Sequence, residues 1–177
     1  MEIDGALVKL RAFGAEDADG MAEILSDPDV ARFAGSPMLF PQSPDRVREW
    51  ATAPRPDVFR WAIEALEDRA LLGDTSLTRV DFRNRNCWFG VLIGPPARWD
   101  HGYGTEATRL VTRFAFRQLG MEKVYLGVFV GNDRGKRAYE KAGYRTEGDL
   151  PRHHLLEGRL VTSYLMAAYR DDPTYAG

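Results

Sequence analysis

Two short stretches of this chain carry residue types at spacings that can do chemistry. The first runs Trp99-Asp100-His101-Gly102-Tyr103-Gly104-Thr105-Glu106-Ala107. A Gly-x-Gly at the start of a helix has a physical use. First-turn amides have no intrahelical partner, the helix dipole is positive there, and glycine lets those amides come close to a phosphate. Taken alone, the pattern reads equally as a tight loop entering a helix. It is not a Walker loop, because no Lys follows the second glycine. It is not a dinucleotide fingerprint either, because position 107 is Ala where a third glycine would stand. The second stretch is Asn132 to Tyr144. By residue type alone, Asn132 is a helix N-cap and Tyr139 a core or rim aromatic.

The remaining reactive side chains suggest little. Cys87 is the single cysteine, so no intrachain disulfide forms, and in Asn86-Cys87-Trp88-Phe89 it reads as a packed strand residue. His101, His153 and His154 make no zinc spacing with it, so no metal is expected. His101 reads as a solvated loop residue, and His153 and His154 as exposed residues between two strands. The formal net charge of −2 gives no bulk attraction to nucleic acid or an anionic membrane, and neither is expected as a partner. No apolar run approaches the about 18 residues of a membrane span. The N-terminus, Met1-Glu2-Ile3-Asp4, lacks an apolar leader, so the expected location is cytoplasmic. A length of 177 residues, 44% hydrophobic and 28% charged, suits one domain over 1–177.

These residues need elements to position them. Residues 6–12 read as a strand, and 15–26 as a helix with Ala18, Met21, Ala22 and Leu25 on one face. Residues 34–44 carry Gly35, Pro37, Pro41 and Pro44 and read as a loop with an apolar tip, Met38-Leu39-Phe40. Ser43 then caps a short helix to about residue 51, with Pro44 in its first turn. Strands follow at 58–65, 71–80 and 87–93; their short connections make them antiparallel. A long amphipathic helix runs 104–119 with Gly120 as its stop. Next come an alternating strand at 124–130, a helix at 132–142 stopped by Gly143, and strands near 144–150 and 159–169. The class is α+β, with a mixed, mostly antiparallel sheet.

The first stretch resembles the pyrophosphate loop of the GNAT acetyltransferases, Arg/Gln-x-x-Gly-x-Gly/Ala. It is similar to the RimJ/RimL-like branch, where Trp commonly replaces the Arg/Gln. The second, Asn132-Asp133-Arg134-Gly135-Lys136-Arg137-Ala138-Tyr139-Glu140-Lys141-Ala142-Gly143-Tyr144, resembles that branch's Asn-x-x-(small)-x-Arg-x-Tyr-Glu-Lys-x-Gly-Phe helix. The two blocks lie in the family's order and separation, and the general layout extends the match over nearly the whole chain.

The resemblance implies a GNAT fold whose central strands splay to open a slot for coenzyme A. The backbone of Val91, Leu92 and Ile93 would pair with the pantetheine arm. The loop of Trp99, Asp100, His101, Gly102, Tyr103, Gly104 and Thr105 would hold the pyrophosphate, and Asn132 would contact the pantetheine. Tyr139 would stand near the sulfur as general acid, and a strand amide near Leu92 or Ile93 would face the oxyanion. Glu64 is the expected base beside the acceptor, with Glu106 and His101 as alternatives. Met38 and Phe40 would line the acceptor site with Glu64. The implied reaction moves acetyl from acetyl-coenzyme A to a primary amine, a peptide N-terminus or small amine, in a protein that forms a homodimer in many relatives. Two other readings stay open: a non-catalytic acyl-coenzyme A sensor, and an acetyltransferase of polyamines or aminoglycosides. The last hairpin also departs from the branch. After Glu157-Gly158 it runs Leu160-Val161-Thr162-Ser163, where an acidic residue is often found.

Overall fold

The computed structural model describes residues 2–34, 43–53 and 55–175. Met38 and Phe40 lie outside the described residues, as does most of the apolar loop. An eight-stranded sheet organises the rest. Its strands are β1 (Ile3–Asp4), β2 (Val8–Ala12), β3 (Phe59–Ala65), β4 (Leu71–Asp81), β5 (Asn86–Ile93), β6 (Lys123–Phe129), β7 (Arg145–Leu156) and β8 (Arg159–Tyr169), in spatial order β1-β2-β3-β4-β5-β6-β8-β7. Every neighbouring pair is antiparallel except β5–β6, which is parallel. The helices are α1 (Ala18–Ser26), α2 (Pro28–Ala31), α3 (Pro44–Thr52), α4 (Tyr103–Arg117) and α5 (Asp133–Lys141). This is the expected α+β arrangement with a mixed sheet.

The two sheet faces are covered by different helices, and strand alternation shows how. Val8, Leu10, Trp61, Ile63, Leu77, Phe89 and Leu126 form a core with Val111, Phe114 and Ala115 of α4. On the opposite face, Ala18, Met21, Leu25 and Val47 of α1 and α3 pack with Trp50, Leu71 and Leu92. Cys87 is fully buried in the first core and its thiol is pushed up to about 12 by that burial, consistent with a packing role. Three elements exceed what periodicity showed. β1 is two residues long and exists only as the partner of β2. α2 is a single turn, capped by Asp27 and opened by Pro28. β7 continues past the register breaks around Pro151 and Arg152.

Glu64 proves to be part of the scaffold. Its Oε2 accepts from Arg11 Nε at 2.9 Å, and Arg69 Nε lies 2.8 Å from Oε1. The Arg69 contact is an ion pair without hydrogen-bond alignment, so Oε1 has no aligned donor. Arg11 in turn grips Asp17 with both terminal nitrogens, at 2.7 and 2.9 Å. Burial alone would raise the Asp17 carboxyl, but Arg11 and the Gly14 amide outweigh it and hold it below its ordinary range. The cluster ties β2 and β3 to the entry of α1. Glu64→Gln is expected to destabilise the protein by about 2 kcal/mol. That is less than an isolated buried pair would lose, since Arg11 keeps Asp17. A urea titration of both proteins measures it.

Candidate active site

The sheet is interrupted at its one parallel junction. β5 and β6 pair only through Asn86–Lys123, Cys87–Val124 and Trp88–Tyr125, and beyond these the strands part. Phe89 to Ile93 therefore form a free strand edge. Gly94 N–H donates to Leu72 O at 2.8 Å, and amides alternate sides along a strand. Ile93 and Val91 thus turn their amides into the gap, whereas the Leu92 amide turns to β4 and its side chain packs under α1 and α3. Of the two residues expected to face an oxyanion, Ile93 has the right direction and Leu92 does not.

The gap widens into a cleft of about 1490 Å³ that reaches both faces of the sheet. On the α4 side it meets the loop from Trp99 to Thr105. Asp100 (φ 63°) and Gly102 (φ 90°) both take left-handed conformations there, which turn the chain sharply into α4. No described side chain caps α4, so its first amides open on the cleft. The loop is rigidly held. Trp99 Nε1 donates to Ile93 O at 2.7 Å, Tyr103 O–H donates to Glu67 at 2.6 Å, and Arg98 pairs with Glu67 at 2.7 Å and with Asp68. The Arg134 guanidinium lies flat on the Trp99 ring, 3.2 Å from its centre. Arg98, Arg109, Arg113, Arg134, Arg137 and Lys141 line this end and suit a polyphosphate. A free strand edge, open helix amides and this cationic rim fit coenzyme A.

Asn132 caps α5 by accepting from Gly135 N at 3.0 Å and also lines the cleft, so its amide nitrogen remains to donate. Tyr139 lines it too, with its ring edge-on to Phe89 and near Tyr144. No described residue hydrogen-bonds its hydroxyl. Burial pushes the phenol up to about 12, so it stays protonated at neutral pH.

Three expected roles change. His101 does not line the cleft; it is exposed, its Nδ1 is 2.7 Å from Trp99 O, and its ring stacks on Tyr103. Glu106 is a clamp, accepting from the amides of Ala6, Leu7 and Val8 at 2.7–2.8 Å and so fixing the β1–β2 turn against α4. Glu64 is engaged in the arginine cluster and is not among the cleft-lining residues. The residue that sequence reading missed is Asp74, buried on β4 opposite Leu92 and lining the cleft. Its neighbours Gly73 and Thr75 give no motif to flag it. The histidines were also underrated. His154 is half-buried, its Nδ1 is 2.7 Å from Ser163 Oγ, its ring stands edge-on to Phe129, and it lines the cleft with His153.

Gly104 offers a clean test of the loop. A Cβ there would meet only Ile93, at an ordinary 3.6 Å, so the fold tolerates a side chain. Gly102, by contrast, is strained for any side chain by its φ. Gly104→Val is expected to fold normally and weaken coenzyme A binding by about tenfold or more, because bulk at that amide keeps a phosphate away. Calorimetric titration with coenzyme A checks this; unchanged affinity would remove the loop from the site.

Comparison with known proteins agrees with the geometry. The chain is 30% identical over 148 residues to the SPbeta prophage-derived uncharacterised N-acetyltransferase YokL of Bacillus subtilis, covering 82% of this chain and 80% of that one. It is 24% identical over 152 residues to the uncharacterised N-acetyltransferase YoaA of the same organism, covering 84% and 85%. In three dimensions it resembles the spermidine N-acetyltransferase of Vibrio cholerae solved with coenzyme A and spermine, with a TM-score of 0.83 at 20% identity, over 95% of this chain and 98% of that one. Residues 8–145 match the acetyltransferase (GNAT) domain family, so with its parted strands and open helix N-terminus the chain belongs to the GNAT acetyltransferases.

Proposed function

We propose that this protein transfers acetyl from acetyl-coenzyme A to a single amine, a peptide N-terminus or a small molecule, by direct attack with both substrates bound. The RimJ/RimL-like assignment goes with this proposal and rests on the two sequence blocks. The observation that carries it is the meeting, in one cleft, of the free β5 edge, the uncapped α4 N-terminus and an unengaged Tyr139 hydroxyl. Among the described residues no helix is long and apolar enough to cross a membrane.

The residues divide the work. The Val91 and Ile93 edge takes the amides of the pantetheine arm as an added strand would, and an edge amide faces the carbonyl oxygen as charge develops on it. Tyr139 addresses the sulfur. A phenol near 12 is a weaker acid than a thiol of about 8.5, so its contribution is a hydrogen bond to the departing sulfur. Tyr139→Phe is expected to lower kcat about 100-fold while leaving the coenzyme Kd nearly unchanged. Single-turnover thiol release with parallel calorimetry separates the two. Full activity in the variant would make Tyr139 structural, and binding without amine-dependent turnover in the wild type would favour a sensor.

The acceptor side of the cleft is sparsely charged. Phe33, Phe129, Leu150 and Trp88 line it, and its described carboxylates are Asp29 and Asp74, against Arg79 and the two histidines. Glu157, at the final hairpin, is engaged with Arg32 at 3.2 Å. A polyamine carries several charges and calls for several carboxylates. Apolar walls with a few polar groups suit one amine on a small or peptidic ligand. In competition between spermine, an aminoglycoside and short peptides with free N-termini, at matched concentrations, the peptides are expected to be acetylated first. Clear preference for either polycation would overturn this acceptor class.

A further inference from the structure

We propose that Asp74 receives the proton from the attacking amine, and that Arg60, laid flat on Trp50, positions it. The inference rests on the acetyltransferase reading above and names the group that reading leaves unassigned. Asp74 sits in β4 directly across from Leu92, with its side chain on the α1–α3 side of the sheet. This is where an amine meets an acyl group lying along the β5 edge, one residue from Ile93 and Val91. Glu64 and Glu106 are occupied by arginines and backbone amides. No described residue donates a hydrogen bond to the Asp74 carboxylate.

Among the described residues its one ion-pair contact is held at a distance. Arg60 Nε lies 3.6 Å from Asp74 Oδ2, buried and without a hydrogen-bond partner. Arg60 cannot easily close that distance, because its guanidinium rests 3.5 Å from the centre of the Trp50 ring and donates to Trp50 O at 3.2 Å. The arrangement favours the carboxylate while leaving its oxygens free for a ligand. On β3, Ala62 stands opposite Asp74 and its neighbour Glu64 is paired with Arg11 and Arg69; the described residues that face Asp74 from β5 and α1 carry no charge. β5 presents Leu92 and Gly90, α1 buries Met21, Ala22 and Leu25, and α4 lies on the opposite face. Further along the cleft stand Asp29 of α2, Arg79 of β4, and His153 and His154 of β7. Burial pushes the Asp74 carboxyl up to about 6, with Arg60 pulling the other way. A carboxylate in that range is ionised at neutral pH and still basic enough to accept a proton.

The step balances. The amine nitrogen bonds to the thioester carbonyl carbon, and an N–H proton passes to an Asp74 oxygen, directly or through one water. The carbon–sulfur bond then breaks, and its electron pair leaves on a sulfur hydrogen-bonded by Tyr139. Solvent returns a proton to the thiolate and removes one from Asp74. Below about pH 6 Asp74 is already protonated, so turnover falls as pH drops through that value and is restored above it.

The test compares kcat from about pH 5 to about pH 9 for the wild type, Asp74→Asn, Asp74→Glu and Arg60→Met, using a panel of amines and thiol release, with coenzyme A affinity measured for each. Asp74→Asn is expected to lose about 100-fold in kcat at neutral pH, to keep its coenzyme affinity and to lose the acid limb near pH 6, with Asp74→Glu recovering part of the rate. Arg60→Met removes the pull on the carboxylate, so its acid limb should move to higher pH, which a merely structural Asp74 would not produce. A folded Asp74→Asn with wild-type kcat and an unchanged acid limb overturns the proposal, as does an acid limb unmoved in Arg60→Met. A wild type that acetylates no amine in the panel would instead sink the acetyltransferase reading itself.

Discussion

Everything at the active site follows from a ladder that stops early. After three residue pairs the β5 and β6 backbones separate, although both strands continue. Backbone amides left without partners inside a protein are costly, and most folds avoid them. Here the row is kept open to a cleft, where a ligand rich in amides can complete it. A ligand that pairs with this edge would gain the hydrogen bonds that the β6 ladder does not make.

Keeping two strands apart requires supports outside the gap. On β6, a side chain at Gly127 would meet the Trp88 ring at 3.1 Å, so the aromatic ring of the last paired rung lies over Gly127, where the strands part. Above it, the Trp99 indole bonds Ile93 O and carries Arg134 on its other side, coupling the β5 edge, the loop and α5. Below, Tyr103 and Arg98 pin the same loop to Glu67 and Asp68 in the β3–β4 turn. Glu106 locks the β1–β2 turn onto α4 with three charge-assisted hydrogen bonds, the stronger kind. None of these groups touches an acyl carbon, yet together they set where the strand edge and the helix amides stand.

The local half of the candidate site lies in contiguous stretches. The Gly102-x-Gly104 loop, the Asn132 cap and Tyr139 belong to two such stretches, which the fold brings to one cleft; their roles there belong to the proposal. The amphipathic period of α4 and the alternation of β6 were plain in the sequence. The acceptor half is assembled from residues distant in the chain, and here reading failed. Glu64 looked available because its partners, Arg11 and Arg69, reach it only after β2 and the β3–β4 turn fold against β3. Asp74 belongs to no motif, and only the pairing of β4 with β5 places it opposite Leu92 on the cleft. β1 and α2 are too short to show periodicity, and exist only through Val8 and Asp27.

The cleft reaches both faces of the sheet, and that has a consequence for traffic. On the proposed reading phosphates would lie on the α4 side, while Trp88, Phe33 and His154 line the cleft on the other. A molecule waiting at one door does not cover the other. On the proposed reading, the acylated product would leave from its own side without the coenzyme having to move first. The parted strands would then make the sheet itself the partition between two ports.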